Sequence, residues 1–236
     1  GRGGGGGGGG GRGRGFAPSV STNPGLNQIV WNLRYPSATS FPNMILWGGN
    51  VTGPAAPPGT YQVRLTANGR TQTQPFQVRR HPLFKDVTDA HLKAQFDLAI
   101  RIRDKVSEAN NAVINIRRIK SEVDERLGKS QDARLKAAGD KLKTDLSAVE
   151  GEIYQVRNES GQDPLNFPIK VNNRLASLLS VVNDGDGAPI GNASVIFNDL
   201  SNELKVLTDR LGKVLDSDLA AFNTESQRLN LGTIAR

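Results

Sequence analysis

The fold is decided by residues 88–127, which read TDAHLKAQFDLAIRIRDKVSEANNAVINIRRIKSEVDERL. Apolar residues recur there at steps of three and four, interrupted only at Lys120, and this spacing predicts one amphipathic helix. Such a helix would be on the order of 60 Å long, so its apolar seam needs partner faces from elsewhere in the chain. The predicted seam consists of Leu92, Phe96, Ala99, Ile102, Val106, Ala109, Val113, Ile116, Val123 and Leu127.

The rest of the chain after residue 127 supplies those faces in three further amphipathic segments. Gly128 is expected to end the first helix and Ser130 to cap the second, which should continue to about Glu159. A shorter helix is predicted over residues 171–182 and a last long one over residues 196–222. Four amphipathic helices with short connections are typical of an up-and-down bundle.

The start of the bundle carries its own local signal. Thr88 is a good N-cap residue, and Val87 stands at the spacing from Leu92 that a hydrophobic staple requires. The bundle is therefore predicted to begin at residue 88.

Residues 16–87 have the pattern of β structure instead. Residues 28–35 are predicted to form a strand with Ile29, Trp31, Leu33 and Tyr35 on one face, and residues 44–47 form a second short strand candidate. Residues 59–78 read as a hairpin that turns at residues 68–69, because an Asn-Gly pair tolerates the positive φ angles of a type I′ turn. In that register Tyr61 faces Phe76 and residue 67 faces residue 70.

A sheet with one aromatic face needs a second layer to cover it. We therefore expect a small antiparallel sandwich of immunoglobulin type, with Trp31, Trp47, Tyr61 and Phe76 in its core. The predicted fold class is α+β. Its parts are a Gly/Arg-rich tether over residues 1–15, the sandwich over residues 16–87 and the helical bundle over residues 88–236.

Charge is distributed unevenly along the chain. Residues 1–87 hold nine Lys and Arg against a single acidic residue, Asp86, whereas the rest of the chain is close to neutral. Residues 1–15 are glycine interrupted only by three arginines. We interpret them as a flexible linker, although Gly-Arg tracts also occur in RNA-binding tails, where aromatic residues usually accompany the arginines.

Motifs that would carry chemistry are absent from the sequence. There is no cysteine, and the two histidines, His81 and His91, have no spaced partner ligand. No nucleophile elbow or P-loop is present, and the Asp184-Gly-Asp186-Gly stretch lacks the later ligands of a calcium loop. The sequence therefore predicts a protein without catalytic residues, metal or cofactor.

Two further features bear on location. No run of eighteen apolar residues is present, so no helical membrane span is expected. The chain begins at a glycine without a signal peptide, and it looks like the tail of a longer precursor or a processed product.

Several ordered phrases resemble a known family: Trp31–Pro36, Phe41–Trp47, Pro58–Thr66, Ala94–Leu98 with Ile102–Asn110, and Pro168–Leu175. They look like the C-terminal region of large bacterial BNR-repeat, sortilin-like β-propeller proteins, which are often labelled glycosyl hydrolases. The resemblance covers roughly residues 25–234 and implies an extracytoplasmic location. The propeller that precedes this region in the family is missing here, so the hydrolase label is not carried over.

Two hypotheses of different class follow. The first is a non-catalytic accessory or scaffold module that docks onto a larger protein or membrane-associated complex; nucleic acid is not expected as the partner under this interpretation. Its partner contacts are predicted to include Arg34, Arg64, Arg70, Arg79 and Arg80. The second is a nucleic-acid-binding protein that uses the basic N-terminal third. A fragment of a propeller-type glycoside hydrolase that lacks its catalytic domain is a third, weaker interpretation.

Overall fold

The computed structural model describes residues 23–236, and in it the chain is α+β with a two-stranded sheet and a helical bundle. The predicted tether and residues 16–22 of the predicted sandwich lie outside the described residues. The central element is helix α1, Asp89–Leu127, which is 39 residues long. The Thr88 side chain accepts the N–H of His91, and the His91 side chain accepts the N–H of Thr88, so the predicted N-cap is confirmed.

The apolar seam of α1 is buried along most of its length. Ala99, Ile102, Val106, Ala109, Val113, Ile116 and Val123 all have no exposed surface. Ile119, which the prediction left out, is also buried and continues the seam past Lys120, since residues 116, 119 and 123 keep the steps of three and four. The predicted long helix and its inward face are confirmed.

The remaining helices are α2, Ala133–Ile153; α3, Val171–Val182; α4, Ala193–Val214; and α5, Ala220–Arg228. A π-helical turn, Leu215–Leu219, joins α4 to α5 without a break, so the two form a single rod. Helix α1 packs against α2 and α3, and α4 packs against the same two helices. The predicted bundle of four helical rods is thus present.

The predicted boundaries of α2 were wrong at both ends. Asp132, not Ser130, is the N-cap, and its carboxylate accepts the N–H groups of Arg134 and Leu135 at 2.9 and 3.0 Å. The helix ends at Ile153 because Tyr154 is extended and turns its ring into an edge-to-face contact with Phe41. Gly128 does follow α1, but its φ of −65° is right-handed, so freedom at positive φ is not what ends the helix there.

An extended segment, residues 35–56, runs along the bundle, and we call it the strap. Backbone bonds from Tyr35 to Pro54 and from Ala38 to Val51 join its two limbs. Its apolar residues Ala38, Phe41 and Val51 share one core with the helices. The division into domains at residue 88 stays a prediction, but this part of the N-terminal third packs with the helices.

Side chains of the bundle bind the backbone of the strap. Asn173 of α3 accepts the N–H of Trp47 and donates to its carbonyl oxygen, both at 2.8 Å. The Tyr154 hydroxyl accepts the N–H of Ile45. The strands predicted at residues 28–35 and 44–47 are therefore wrong: Arg34 makes one isolated bridge with Ala55, and residues 44–47 bond to the bundle instead of to a strand.

The hairpin consists of β1, Gly59–Ala67, and β2, Arg70–Val78. Tyr61 pairs with Phe76 and Ala67 with Arg70, so the predicted register is confirmed. Asn68 and Gly69 have φ angles of 49° and 73°, as a type I′ turn requires.

The described residues contain no second sheet that covers this hairpin. In place of the predicted sandwich core, Trp31 packs against Tyr61 and Phe76, with ring centroids 5.7 and 5.9 Å away. Trp47, the fourth predicted core residue, is 40% exposed. A single indole covers only the base of the aromatic face, so the rest of the hairpin is open to solvent.

Candidate docking surface

Three of the five predicted partner-binding arginines are free on the hairpin and its exit. Arg64 lies on β1, Arg70 begins β2, and Arg79 follows β2; all three are exposed. None of their side chains makes a hydrogen bond or ion pair with another residue among 23–236. Because side chains alternate along a strand, Arg64 and Arg70 project from opposite faces of the hairpin.

The other two predicted residues hold the chain locally. The Arg34 guanidinium is partly buried and donates to the Gly53 carbonyl at 3.0 Å. Arg80 donates to the carbonyl of Val87 and lies 3.7 Å from the Asp89 carboxylate. Both are therefore bound to the fold, and the structure does not gather the five arginines into one cluster.

The charged side chains of the hairpin are all positive. No acidic residue occurs anywhere before Asp86, so nothing within the hairpin neutralises its arginines. The bundle differs, because many of its cations are paired with carboxylates, within a helix as in Lys93–Asp97 or between helices as in Lys143–Asp124. The hairpin thus carries a positive charge that no acidic residue of its own offsets.

Two large apolar side chains are uncovered on the same element. Val63 and Leu65 are 56% and 54% exposed on the face that also carries Tyr61. Isolated exposed apolar residues are ordinary, but these two are consecutive on a sheet face that no other described element covers. The alternation that puts Tyr61 on the predicted core face of the hairpin puts Val63 and Leu65 on the same face. Because the described residues provide no second layer over that face, these two side chains are on the surface instead.

Within the described part of the chain, the backbone of the hairpin is paired only between its own two strands. Residues 60–78 make no backbone hydrogen bond outside the hairpin to any other described residue. The Tyr61 hydroxyl donates to the Pro57 carbonyl at 2.7 Å, and burial, with Tyr35 nearby, raises the pKa of this phenol. Tyr61 therefore stays neutral and fixes the base of the hairpin.

The two larger of three clefts found among residues 23–236 outside the hairpin are lined mainly by polar and charged side chains. One, of about 470 Å³, is lined by Arg34, Asn50, Ser180 and Asp184 among others. Its Ser180 hydroxyl accepts from Asn50 and donates to the Ala176 carbonyl, so it bonds the strap and its own helix. The other cleft, of about 570 Å³, lies between α1 and α4, where Arg101 stacks on Phe197.

The histidines and the acidic loop have local roles. His91 completes the N-cap of α1, and the His81 ring packs against Phe84. The loop that contains Asp184 and Asp186 is tied to α1 by Gln95, whose amide donates to the Gly185 carbonyl at 3.0 Å. No group of three or more potential metal ligands occurs among residues 23–236.

A buried carboxylate, that of Glu150 on α2, binds two partly exposed cations of α1. The Glu150 carboxylate accepts from Arg117 at 2.7 Å and from Lys120 at 3.2 Å. The Arg117 guanidinium also lies 4.7 Å from the Phe41 ring centroid and 5.4 Å from that of Tyr154. Both oxygens of the carboxylate are bonded, so the cluster joins helices and strap.

Two observations concern the chain as a whole. Within residues 23–236 no helix has both the length and the apolar character needed to cross a bilayer. Comparisons with protein-family models, with curated proteins and with solved structures find no significant match.

Proposed function

We propose that this chain is a non-catalytic interaction module in which the bundle and strap are the support and the hairpin is the docking surface. One observation carries the proposal: an uncovered hairpin with free arginines, exposed aliphatic residues and no acidic residue. An acidic surface on a larger protein complements all three properties.

The resemblance to propeller-associated C-terminal regions supports a finer form of the proposal. In it the chain is an accessory or scaffold subunit of an extracytoplasmic assembly, periplasmic or secreted, and peripheral to a membrane complex. The immunoglobulin-type sandwich belongs to the same proposal: its missing strands would come from a partner or from outside residues 23–236.

Nucleic-acid binding is the second candidate, and the free arginines favour it because phosphate contacts need unpaired cations. The aromatic residues argue against it. Trp31, Tyr61 and Phe76 pack against one another, so they do not form an open platform for bases. We therefore place the protein partner first. A glycoside hydrolase fragment is third, because the described residues offer no carboxylate pair in a substrate-sized cleft that would support it.

The test is charge reversal with a matched control. Arg64, Arg70 and Arg79 are replaced together by Glu, and in a second variant Arg134, Lys136 and Lys213 of the bundle are replaced in the same way. Retention on the native assembly is measured at low and physiological salt, together with binding to duplex DNA and single-stranded RNA. The proposal expects the hairpin variant alone to lose retention on the assembly.

Equal retention of both variants at both salt levels would contradict the proposal. Salt-dependent binding of wild-type protein to DNA or RNA that the hairpin variant loses would favour the second candidate instead.

A further inference from the structure

We propose that the outer edge of β1 accepts an acidic, extended strand from a partner protein, which adds to the hairpin as a third strand. The inference rests on the proposed docking function and makes it specific: it names the edge, the kind of segment that binds and the bonds that hold it.

The turn determines which amides point outward. A type I′ turn closes with a hydrogen bond between its first and fourth residues, so Ala67 and Arg70 form a hydrogen-bonded pair. Bonded and non-bonded pairs then alternate along the antiparallel ladder. The N–H and C=O groups of the non-bonded residues point away from the hairpin. On β1 these are Thr60, Gln62, Arg64 and Thr66; on β2 they are Thr71, Thr73, Pro75 and Gln77.

The two edges are therefore unequal. Pro75, which pairs with Gln62, stands at an outward-facing position of β2 and has no N–H to offer. Proline on an edge strand blocks the addition of another strand. The outward positions of β1 contain no proline, so β1 presents an uninterrupted row of donors and acceptors.

The β1 edge is also accessible. Residues 62–67 are exposed without exception, and the backbone of β1 bonds only to β2 among the described residues. An added strand would meet no other described element that pairs with this edge.

The side chains of β1 select the chemistry of the incoming strand. Val63 and Leu65 lie on one face and Arg64 on the other, while Arg70 stands at the tip. A strand that alternates apolar and acidic residues would place its apolar side chains beside Val63 and Leu65 and its carboxylates beside Arg64. The absence of acidic residues before Asp86 removes any repulsion against such a strand.

Residues 26–30 of the same chain are the alternative to a partner strand at the β1 edge. The bridge between Arg34 and Ala55 is antiparallel, and continued outward it would bring residues 26–30 beside residues 59–63. Pro57 and Pro58 interrupt that pairing because neither has an N–H. Residues 26–32 belong to no strand, and Leu26 and Val30 are exposed, so the edge is left for a partner.

The experiment uses a capped nine-residue peptide that alternates Glu and Val as the acidic probe, and its Lys/Val counterpart as the control. Amide hydrogen exchange of the full chain is followed by NMR with and without peptide. The Glu/Val peptide should slow exchange at Gln62, Arg64 and Thr66 by about tenfold or more, and leave the outward amides of β2 unchanged.

Proline substitution tests the edge with a matched pair. Arg64 and Thr73 are cross-strand partners, and the N–H of each points outward, so Arg64→Pro and Thr73→Pro have similar costs within the hairpin. Arg64→Pro should weaken peptide binding by about tenfold or more, whereas Thr73→Pro should leave it within about twofold. Arg64→Gln, which keeps the N–H, should retain part of the binding and so separates the charge from the backbone.

Several results would overturn the inference. Equal losses for Arg64→Pro and Thr73→Pro, or equal protection by the Lys/Val peptide, would exclude acidic strand addition at β1. Strong protection of Gln62 and Arg64 without peptide would assign the edge to residues 26–30. If the peptide fails to bind while charge reversal of the hairpin still abolishes retention on the native assembly, the docking function survives and this mode of docking is wrong.

Discussion

Replacement of Ile116 by Ala tests whether the seam of α1 organises the fold. Ile116 has no exposed surface, and Ile114, two residues away on the same helix, is 37% exposed. The substitution removes three carbon atoms, which at about 0.8 kcal/mol each corresponds to about 2.4 kcal/mol of lost transfer free energy. The cavity that remains raises the expected loss of unfolding free energy to about 3–4 kcal/mol.

Ile114→Ala is the matched control, because it makes the same chemical change on the outer face of the same helix. We expect it to lower the free energy of unfolding by less than about 1 kcal/mol. Urea denaturation followed by circular dichroism measures the free energy of unfolding of both variants. In a thermal melt, a chain of this size should lose about 2–4 °C in Tm for each kcal/mol of unfolding free energy lost. Equal, small losses for the two variants would refute the idea that this seam is the core of the bundle.

Three further predictions concern the seam of α1, the strap and the N-cap of α2. Val113→Asp buries an unpaired carboxylate in the middle of the seam and should cost about 3–5 kcal/mol in a thermal melt; an unchanged Tm would mean that the position is exposed. Gly53→Ala would place its Cβ against the carbonyl oxygen of Tyr35 and should lower the Tm, whereas Gly187→Ala, with nothing within 4 Å, should not. The hydrogen bond from Arg228 lowers the pKa of Asp132. The stability that Asp132 adds is therefore present above the ordinary carboxyl pKa, and it is lost as the pH falls through the lowered pKa of Asp132. The difference in unfolding free energy between wild type and Asp132→Asn should therefore be present at pH 7 and disappear in strong acid; a difference independent of pH would contradict this assignment.

The elements that sequence reasoning predicted correctly have local causes. The N-cap at Thr88 and the hairpin turn at Asn68-Gly69 depend on residues three or fewer positions apart, and the seam of α1 repeats often enough to outweigh a single polar residue. Periodicity of this kind is visible without knowledge of the partner faces.

The strap shows why the rest of the fold was not predicted. Alternation of apolar residues indicates that one face is covered, but it does not say by what. The strap residue Trp47 is held by Asn173, 126 positions later in the chain, and Ile45 by Tyr154, 109 positions later. Neither Asn173 nor Tyr154 has a local signal for that role, so a bundle-bound strap and a second sheet give the same sequence pattern.

The role of the five arginines as partner contacts stays a prediction. Composition identified the basic N-terminal third, but it does not distinguish arginines with a partner inside the chain from Arg64, Arg70 and Arg79, whose side chains have none among residues 23–236. Only the structure reveals that Arg34 and Arg80 are bound within the chain, and that Val63 and Leu65 lie uncovered.

The central claim is that the hairpin, and not the bundle, meets the partner. Hydrogen exchange measured by mass spectrometry on the free chain and on the isolated native assembly tests it directly. We predict that exchange slows in residues 59–67 on assembly, while the exposed faces of α1 and α4 exchange as in the free chain. Slower exchange confined to the helices, with residues 59–78 unchanged, would contradict the claim.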